Sequence, residues 1–296
     1  MHEEALLLGP GQSNVGVFTP AADNTDAQSD MAAICITAGL LHHVGPHRMH
    51  VLLARALTTK GISTLRFDLS GIGDSSVRSD DLPAQEVSVQ EINDAINALE
   101  KRGFKRFILF GICSGAAQAL RAATGNPKIA GLILVNTGSD DGNTEVDPRP
   151  AAQFYLKYSF WNLNAWKNLF TGKVKYRALI ITLFSALIQK LKGNNKNVTS
   201  VGKRLQSRIQ PFMQQGTSIL IVLSDRHAQI YTLYQKAFEK LQCAQFNTLV
   251  YADTDHLFTS LSLQQDLIDR ICQWSAELVD DGARDTSANF TVDTVG

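Results

Sequence analysis

Phe107-Ile108-Leu109-Phe110-Gly111-Ile112-Cys113-Ser114-Gly115-Ala116-Ala117 is an apolar run that ends in a glycine, a thiol and a second glycine before small, helix-compatible residues begin. It reads as strand, sharp turn, helix. The flanking glycines permit a turn that a Cβ would obstruct, and the first N–H groups of the following helix favour negative charge beside them. A thiol at Cys113 is thereby placed to react. The same pattern also suits a free cysteine merely packed into a βα turn, because free cysteine is among the most buried residue types. The rest of the chain has to decide between the two.

On either side of this stretch, strand-like and helix-like segments alternate. Ala32 to Thr37 is a short apolar run, read as a buried strand ending in Ala38-Gly39-Leu40, and Cys35 within it is expected to be inert. Arg48 to Lys60 carries Val51, Leu52, Ala54 and Leu57 at helical spacing and stops at Gly61. Ser63 to Asp68 is another strand, followed by the two-glycine loop Leu69-Ser70-Gly71-Ile72-Gly73-Asp74-Ser75. Ser88 to Lys101 is an amphipathic helix with Val89, Ile92, Ile96 and Leu99 on one side. Beyond the elbow come a helix through Ala123 and a strand from Gly131 to Asn136, then, much later, strands at Ser218 to Leu223 and Phe246 to Tyr251. Helices are expected at Gln229 to Leu241 and Ser262 to Val279. Upstream, Glu4 to Leu8 and Val15 to Phe18 flank a turn-rich loop and form a hairpin expected at the antiparallel edge of the sheet.

This alternation predicts an α/β fold with a doubly wound, mostly parallel sheet. The alternation breaks between Asp140 and Gln215, where helix-like segments occur without a convincing strand. Residues 1–139 and 216–280 are therefore assigned to the α/β core, 140–215 to a helical cap, and the polar stretch 281–296 to a disordered tail. Ala178 to Leu191 is too short to span a bilayer, and an interfacial amphipathic helix is the alternative reading of that segment.

At 296 residues and 44% hydrophobic content the chain can bury a substantial core. Its four cysteines, Cys35, Cys113, Cys243 and Cys272, have neither zinc-knuckle nor disulfide-framework spacing, which fits a reducing compartment. Met1-His2-Glu3-Glu4 lacks the positive start of a signal peptide, so a cytoplasmic location is expected. Formal net charge is zero but unevenly spread. Pro148 to Ser224 holds twelve Lys/Arg and no Asp or Glu, leaving 16 basic residues against all 28 acidic ones elsewhere. A basic segment on an acidic body suits an anionic partner, such as an acidic acyl or peptidyl carrier protein, or simply a solvated helical face. Nothing beyond that basicity suggests nucleic acid, since the aromatic residues Phe154, Tyr155, Phe160, Trp161 and Trp166 suit the core of a lid.

A nucleophilic thiol needs a base, and the base needs an orienting group. His256, in Asp253-Thr254-Asp255-His256-Leu257-Phe258, follows the last core strand and precedes the last helix, which puts it at the carboxyl edge where the elbow also emerges. Two loops offer the acid. Asp140 or Asp141 follows the strand after the elbow helix, and Asp225 follows Ser218 to Leu223. For an oxyanion, the backbone N–H of Ser114 is one donor and that of Leu40 the other. The histidine-rich loop His42-His43-Val44-Gly45-Pro46-His47-Arg48-Met49-His50 does not place three histidines on one face, so His43, His47 and Arg48 are assigned to the rim of a substrate site rather than to a metal.

Gly39, the Arg48 to Lys60 helix, Phe67 to Ser75, Gly111-Ile112-Cys113-Ser114-Gly115 and Asp255-His256 together resemble the α/β-hydrolase superfamily across most of the chain. Val44 to Arg48, the cysteine elbow and Phe154-Tyr155-Leu156-Lys157-Tyr158 are similar to the exosortase-A-system-associated hydrolases. The thiol also resembles the elbow of dienelactone hydrolases and of cysteine Dieckmann cyclases, which close rings on carrier-bound thioesters. In the commoner hydrolase pattern the acid falls in a Gly-x-x-Asp-like turn, and aligning Leu223 to His227 there puts His227, not Asp225, at that position. The resemblance to Dieckmann cyclases implies an acid after the strand that follows the elbow helix, which favours Asp140 over Asp225. Ala38 stands where the hydrolase pattern has a histidine before Gly39.

The expected activity is acyl transfer through a Cys113–His256–Asp140 triad and an acyl-S-enzyme, on an ester or carrier-bound thioester, without cofactor or metal. Dieckmann-type release of a tetramate or pyridone is the alternative chemistry. A non-catalytic carrier-protein or membrane-surface binding module is the alternative of another class.

Overall fold

A computed structural model describes residues 2–22, 29–78, 82–137, 207, 209–224, 245–251, 254–281 and 293–295. The chain divides into two units, Met1–Gly138 with Gly202–Gly296 and Ser139–Val201, and every described residue belongs to the first. Most of the expected cap, the expected helix at Gln229 to Leu241 and Cys243 lie outside the described residues.

One sheet organises this unit. Its strands are β1 (Glu4–Leu8), β2 (Asn14–Thr19), β3 (Met31–Ile36), β4 (Ser63–Phe67), β5 (Arg106–Ile112), β6 (Ile129–Val135), β7 (Ser218–Ser224), β8 (Phe246–Tyr251) and β9 (Asp293–Val295). Their spatial order is β1-β2-β4-β3-β5-β6-β7-β8-β9. The β1–β2 hairpin and the β2–β4 pair are antiparallel, and every pair from β4 to β9 is parallel. The expected doubly wound, mostly parallel sheet with an antiparallel edge is thus observed. The three residues of β9, within the polar tail, extend it beside β8.

Period-two alternation sends successive side chains to opposite faces, and both faces are covered. Ile34, Leu65, Leu109, Leu132 and Ile221 pack on one face with Ile92, Ile96 and Leu99 of α2 (Ala84–Glu100) and Ala116 and Ala119 of α3 (Ser114–Ala123). Cys35, Ile108, Phe110, Ile133 and Val222 pack on the other with Leu53 and Leu57 of α1 (Met49–Thr58) and Ile268 and Ile271 of α4 (Leu261–Asp281). Burial on both sides is why β3 and β4 read as unbroken buried runs rather than alternating ones. Each fully buried Leu, Ile or Phe contributes about 1.5–3 kcal/mol of transfer free energy to such a core. Residues 209–214 are helical, and Ile209 and Phe212 join the face covered by α2 and α3.

Two helix starts differ from the periodicity. Helix α1 begins at Met49, after a short 3-10 turn (Pro46–Arg48), because His47 and Arg48 both have left-handed torsions, φ 47° and 63°. Helix α2 begins at Ala84, one turn before its apolar stripe, since Ala84, Gln85 and Glu86 are exposed and carry no hydrophobic signal. Cys35 is fully buried, and burial pushes its thiol up to about 12 despite the nearby Arg66 charge. It is inert, as the sequence suggests. No described helix is long and apolar enough to cross a membrane.

Candidate active site

Strand β5 ends at Ile112, and the chain reverses at Cys113, which has φ 53° and ψ −117° and caps the N-terminus of α3. These are the torsions of the first corner of a type II′ turn, a position that glycine favours, and a side chain there costs of order 1–3 kcal/mol. The flanking glycines are not the strained residues. A Cβ on Gly111 would run into the Gly115 carbonyl and the Ala116 nitrogen, and one on Gly115 would lie 2.8 Å from the Ile36 oxygen. The two glycines therefore let the first turn of α3 rest on the ends of β5 and β3, and that packing holds Cys113 in its corner. The Cys113 N–H donates to the Val135 carbonyl at 2.9 Å, while its own carbonyl accepts from Ala116 and Ala117. As the first helical residue, Ser114 has no intrahelical carbonyl for its N–H. Cys113 itself is half-buried and its thiol is free.

The loop after β3 reaches the elbow. Gly39, with φ 55°, donates its N–H to Ser114 Oγ at 2.9 Å, and Leu41 donates to the Ala38 carbonyl at 3.0 Å. Leu40 lies between these two bonds with its side chain 90% exposed. Among the described residues the Leu40 N–H has no partner.

Further along the same loop, His43 is tied to the end of β4. Its Nδ1 lies 2.7 Å from Asp68 Oδ2, its N–H donates to Asp68 Oδ1 at 2.5 Å, and Asp74 N–H donates to Oδ2 at 3.1 Å. Asp68 is fully buried. Burial alone would push its carboxyl up, but the bonds from His43 and Asp74 outweigh this and hold it below the ordinary range. His43, Asp68 and Asp74 each bring a potential ligand atom within 4.8 Å of the others. Asp68 accepts three N–H donors, so hydrogen bonds within the protein already hold these side chains together. His47 and Arg48 are exposed on the following turn.

His256 lies between β8 and α4. Asp255 beside it accepts from the N–H groups of Leu257 (2.8 Å) and Thr259 (3.2 Å) and from the Thr259 hydroxyl. The Thr259 hydroxyl is the chief cause of a lowered Asp255 carboxyl. That carboxylate is spent on shaping its own loop. The His256 carbonyl accepts from Asn136 Nδ2 at 2.8 Å. Asn136 follows β6, and its Oδ1 also accepts from Ser224 N–H at the end of β7. The structure thus places Cys113, Ser114, Leu40, His43 and His256 along the carboxyl edge of the parallel sheet, after β3, β5 and β8, with β6 and β7 between the last two; clefts form at this edge in open α/β sheets. Asp140, Asp141 and Asp225 lie outside the described residues. Asn136 is the participant that the sequence reading passed over; a polar residue with left-handed tolerance at the end of an apolar strand was its only signal.

Residues 28–168 match the family model described as serine aminopeptidase, S33. That span includes the Gly39–Leu40 loop and the elbow. Among solved structures, the chain is similar to a proline iminopeptidase of Mycobacterium smegmatis, at 13% identity and a TM-score of 0.58 over 95% of this chain and 100% of that one. It is similar to an esterase of Pyrococcus furiosus, at 12% identity and a TM-score of 0.57 over 94% and 93% of the two chains. A dienelactone hydrolase of Anabaena variabilis matches at 13% identity and a TM-score of 0.55 over 93% and 97%. No curated protein matches the chain in sequence. The fold is the α/β-hydrolase fold. The matched family is a serine one by name, whereas the residue at the strained corner here is Cys113, and the adjacent Ser114 has a helical backbone and a hydroxyl engaged by Gly39.

Proposed function

We propose that this protein is a hydrolase-like acyl-transfer enzyme whose nucleophile is the Cys113 thiol. What supports the reading above all is the cysteine's own geometry: a side chain kept in a torsion that suits glycine, at the mouth of a helix, by two glycines that pack backbone on backbone. Strain of this kind persists where the surrounding structure over-determines it, and it clusters at functional sites. The names of the similar structures, an esterase, a dienelactone hydrolase and an iminopeptidase, add that this fold carries acyl chemistry elsewhere.

In the proposed reaction His256 takes the thiol proton and the thiolate forms a C–S bond with the carbonyl carbon of an ester or thioester. The carbonyl electron pair moves onto oxygen, where the N–H groups of Leu40 and Ser114 and the N-terminus of α3 stabilise it. Collapse expels the alcohol or thiol, which takes the proton from His256, and leaves an acyl-S-enzyme. Water, activated by His256, then releases the acid and restores the thiol. Asp140 is the proposed orienter of His256, with Asp225 second, and His43, His47 and Arg48 line the substrate side. Because thioester exchange is nearly balanced in energy, a carrier-bound thioester is a fitting substrate, and an acidic carrier would find its complement in the basic stretch 148–224.

The test is turnover of short acyl esters and acyl thioesters by Cys113→Ala and Cys113→Ser. Loss of turnover in the alanine variant, with at most a small residue in the serine variant, is the expected result. Full turnover of every wild-type substrate by both variants would overturn the proposal. Product analysis with a β-ketoacyl aminoacyl thioester separates free acid from a cyclised ring.

A further inference from the structure

Asn136 is completely buried, has a left-handed backbone (φ 49°) and makes three hydrogen bonds, two to the end of β7 and one to the loop before α4. Its N–H donates to the Val222 carbonyl of β7, its Oδ1 accepts from Ser224 N–H, and its Nδ2 donates to the His256 carbonyl, all at 2.8 Å. The residue before it, Val135, is the one whose carbonyl accepts the Cys113 N–H. From elbow to base loop there is therefore a path of two hydrogen bonds and one peptide link: Cys113 N–H to the Val135 carbonyl, then Asn136 Nδ2–H to the His256 carbonyl.

We propose that Asn136 is a positioning residue that sets the separation between Cys113 and His256. The inference rests on the reading of those two residues as the reacting pair. The chemistry demands asparagine. The position needs a residue that tolerates left-handed torsions, one side-chain acceptor for Ser224 and one side-chain donor for His256, all on a short side chain. Aspartate satisfies the torsion and the acceptor but opposes a carboxylate to the His256 carbonyl, and glycine satisfies the torsion alone. The amide donor is what ties the His256 carbonyl to Asn136. With it, the base loop is pinned to the strand next to the elbow.

The experiment measures iodoacetamide labelling of Cys113 at pH 6.5 by peptide mapping, alongside thermal unfolding, in the wild type, His256→Ala, Asn136→Asp and Asn136→Gly. Labelling needs no substrate and reports the base directly, since only the thiolate reacts. The expected result is that His256→Ala slows Cys113 labelling by about tenfold or more and that both Asn136 variants approach that slowed rate while Cys35 and Cys272, both buried, stay unlabelled. If His256→Ala leaves the rate unchanged, the reading of the pair fails and this inference with it. If His256→Ala slows labelling but both Asn136 variants stay within about twofold of wild type, the inference alone is overturned. Should Asn136→Asp expose Cys35 and Cys272, Asn136→Gly, which adds no charge, decides by the same criteria. Exposure of both buried thiols in both variants contradicts the inference, because Asn136 is then a requirement of folding.

Discussion

Gly39 hangs from Ser114: the glycine N–H meets the serine hydroxyl oxygen at 2.9 Å, so the loop that carries Leu40 is tied to the first residue of the helix behind Cys113. That bond links the loop of one proposed oxyanion donor, Leu40 N–H, to the residue that supplies the other, Ser114 N–H. Ser114→Ala deletes it without removing either donor. Net hydrogen-bond loss costs about 1 kcal/mol of stability, whereas misplacing an oxyanion donor costs about 10- to 1000-fold in turnover. Ser114→Ala is expected to lower kcat at least tenfold with a small change in melting temperature. Unchanged kcat would show that the tie does not position the donors.

Cys113 itself should be a stability liability. Replacing a strained residue by glycine relieves of order 1–3 kcal/mol, offset in part by the greater freedom of an unfolded glycine. Cys113→Gly is therefore expected to melt at or above the wild-type temperature while losing all turnover. A marked fall in melting temperature would mean that the thiol contributes packing rather than strain.

The flanking glycines behave in the opposite sense. In Gly111→Ala the new methyl meets backbone that cannot yield, so destabilisation of about 3 kcal/mol or more is expected by urea unfolding, as for other severe overpacking. Gly125, where φ is 72° but a Cβ meets nothing within 4 Å, is the control. Gly125→Ala should cost only the torsional strain of about 1–2 kcal/mol. Equal losses at the two sites would contradict the backbone-on-backbone account.

Acid stability should depend on His50. Burial lowers its imidazole from 6.5 to about 3, reinforced by the Arg66 and His43 charges and opposed by the His43 carbonyl and Asp68. Between those values the unfolded chain binds a proton that the folded chain does not, so stability is fully present above pH 6.5 and falls as pH drops towards 3. Asp68, with its carboxyl held low, adds to the loss only in the more acidic part of that range. His50→Leu should flatten unfolding free energy between pH 6.5 and 4.5. A slope equal to wild type would exclude His50 as the cause.

Sheet and elbow were legible because their signals are local. The run Phe107 to Ile112 is apolar on both faces, and β8 falls on Phe246 to Tyr251, the run expected as a strand. The elbow's strain was less legible: glycines advertise flexibility, yet the positive φ falls on Cys113, a consequence of α3 packing across β3 seventy-odd residues away. The same holds for Asp68 and His43, which meet only because β3 and β4 are neighbours, and for Asn136, whose three partners come from two distant segments. Side chains whose roles depend on what a strand's neighbour brings carry no periodic signature.

The central claim, that Cys113 carries the acyl group, is tested most directly by quenching the protein in acid during turnover of an acyl thioester and measuring intact mass and the modified peptide. The account predicts an added acyl group on the peptide that contains Cys113, absent in Cys113→Ala and unable to form at an appreciable rate in His256→Ala. An acyl group mapped to Ser114 or to any other residue, or steady turnover by Cys113→Ala, would contradict it.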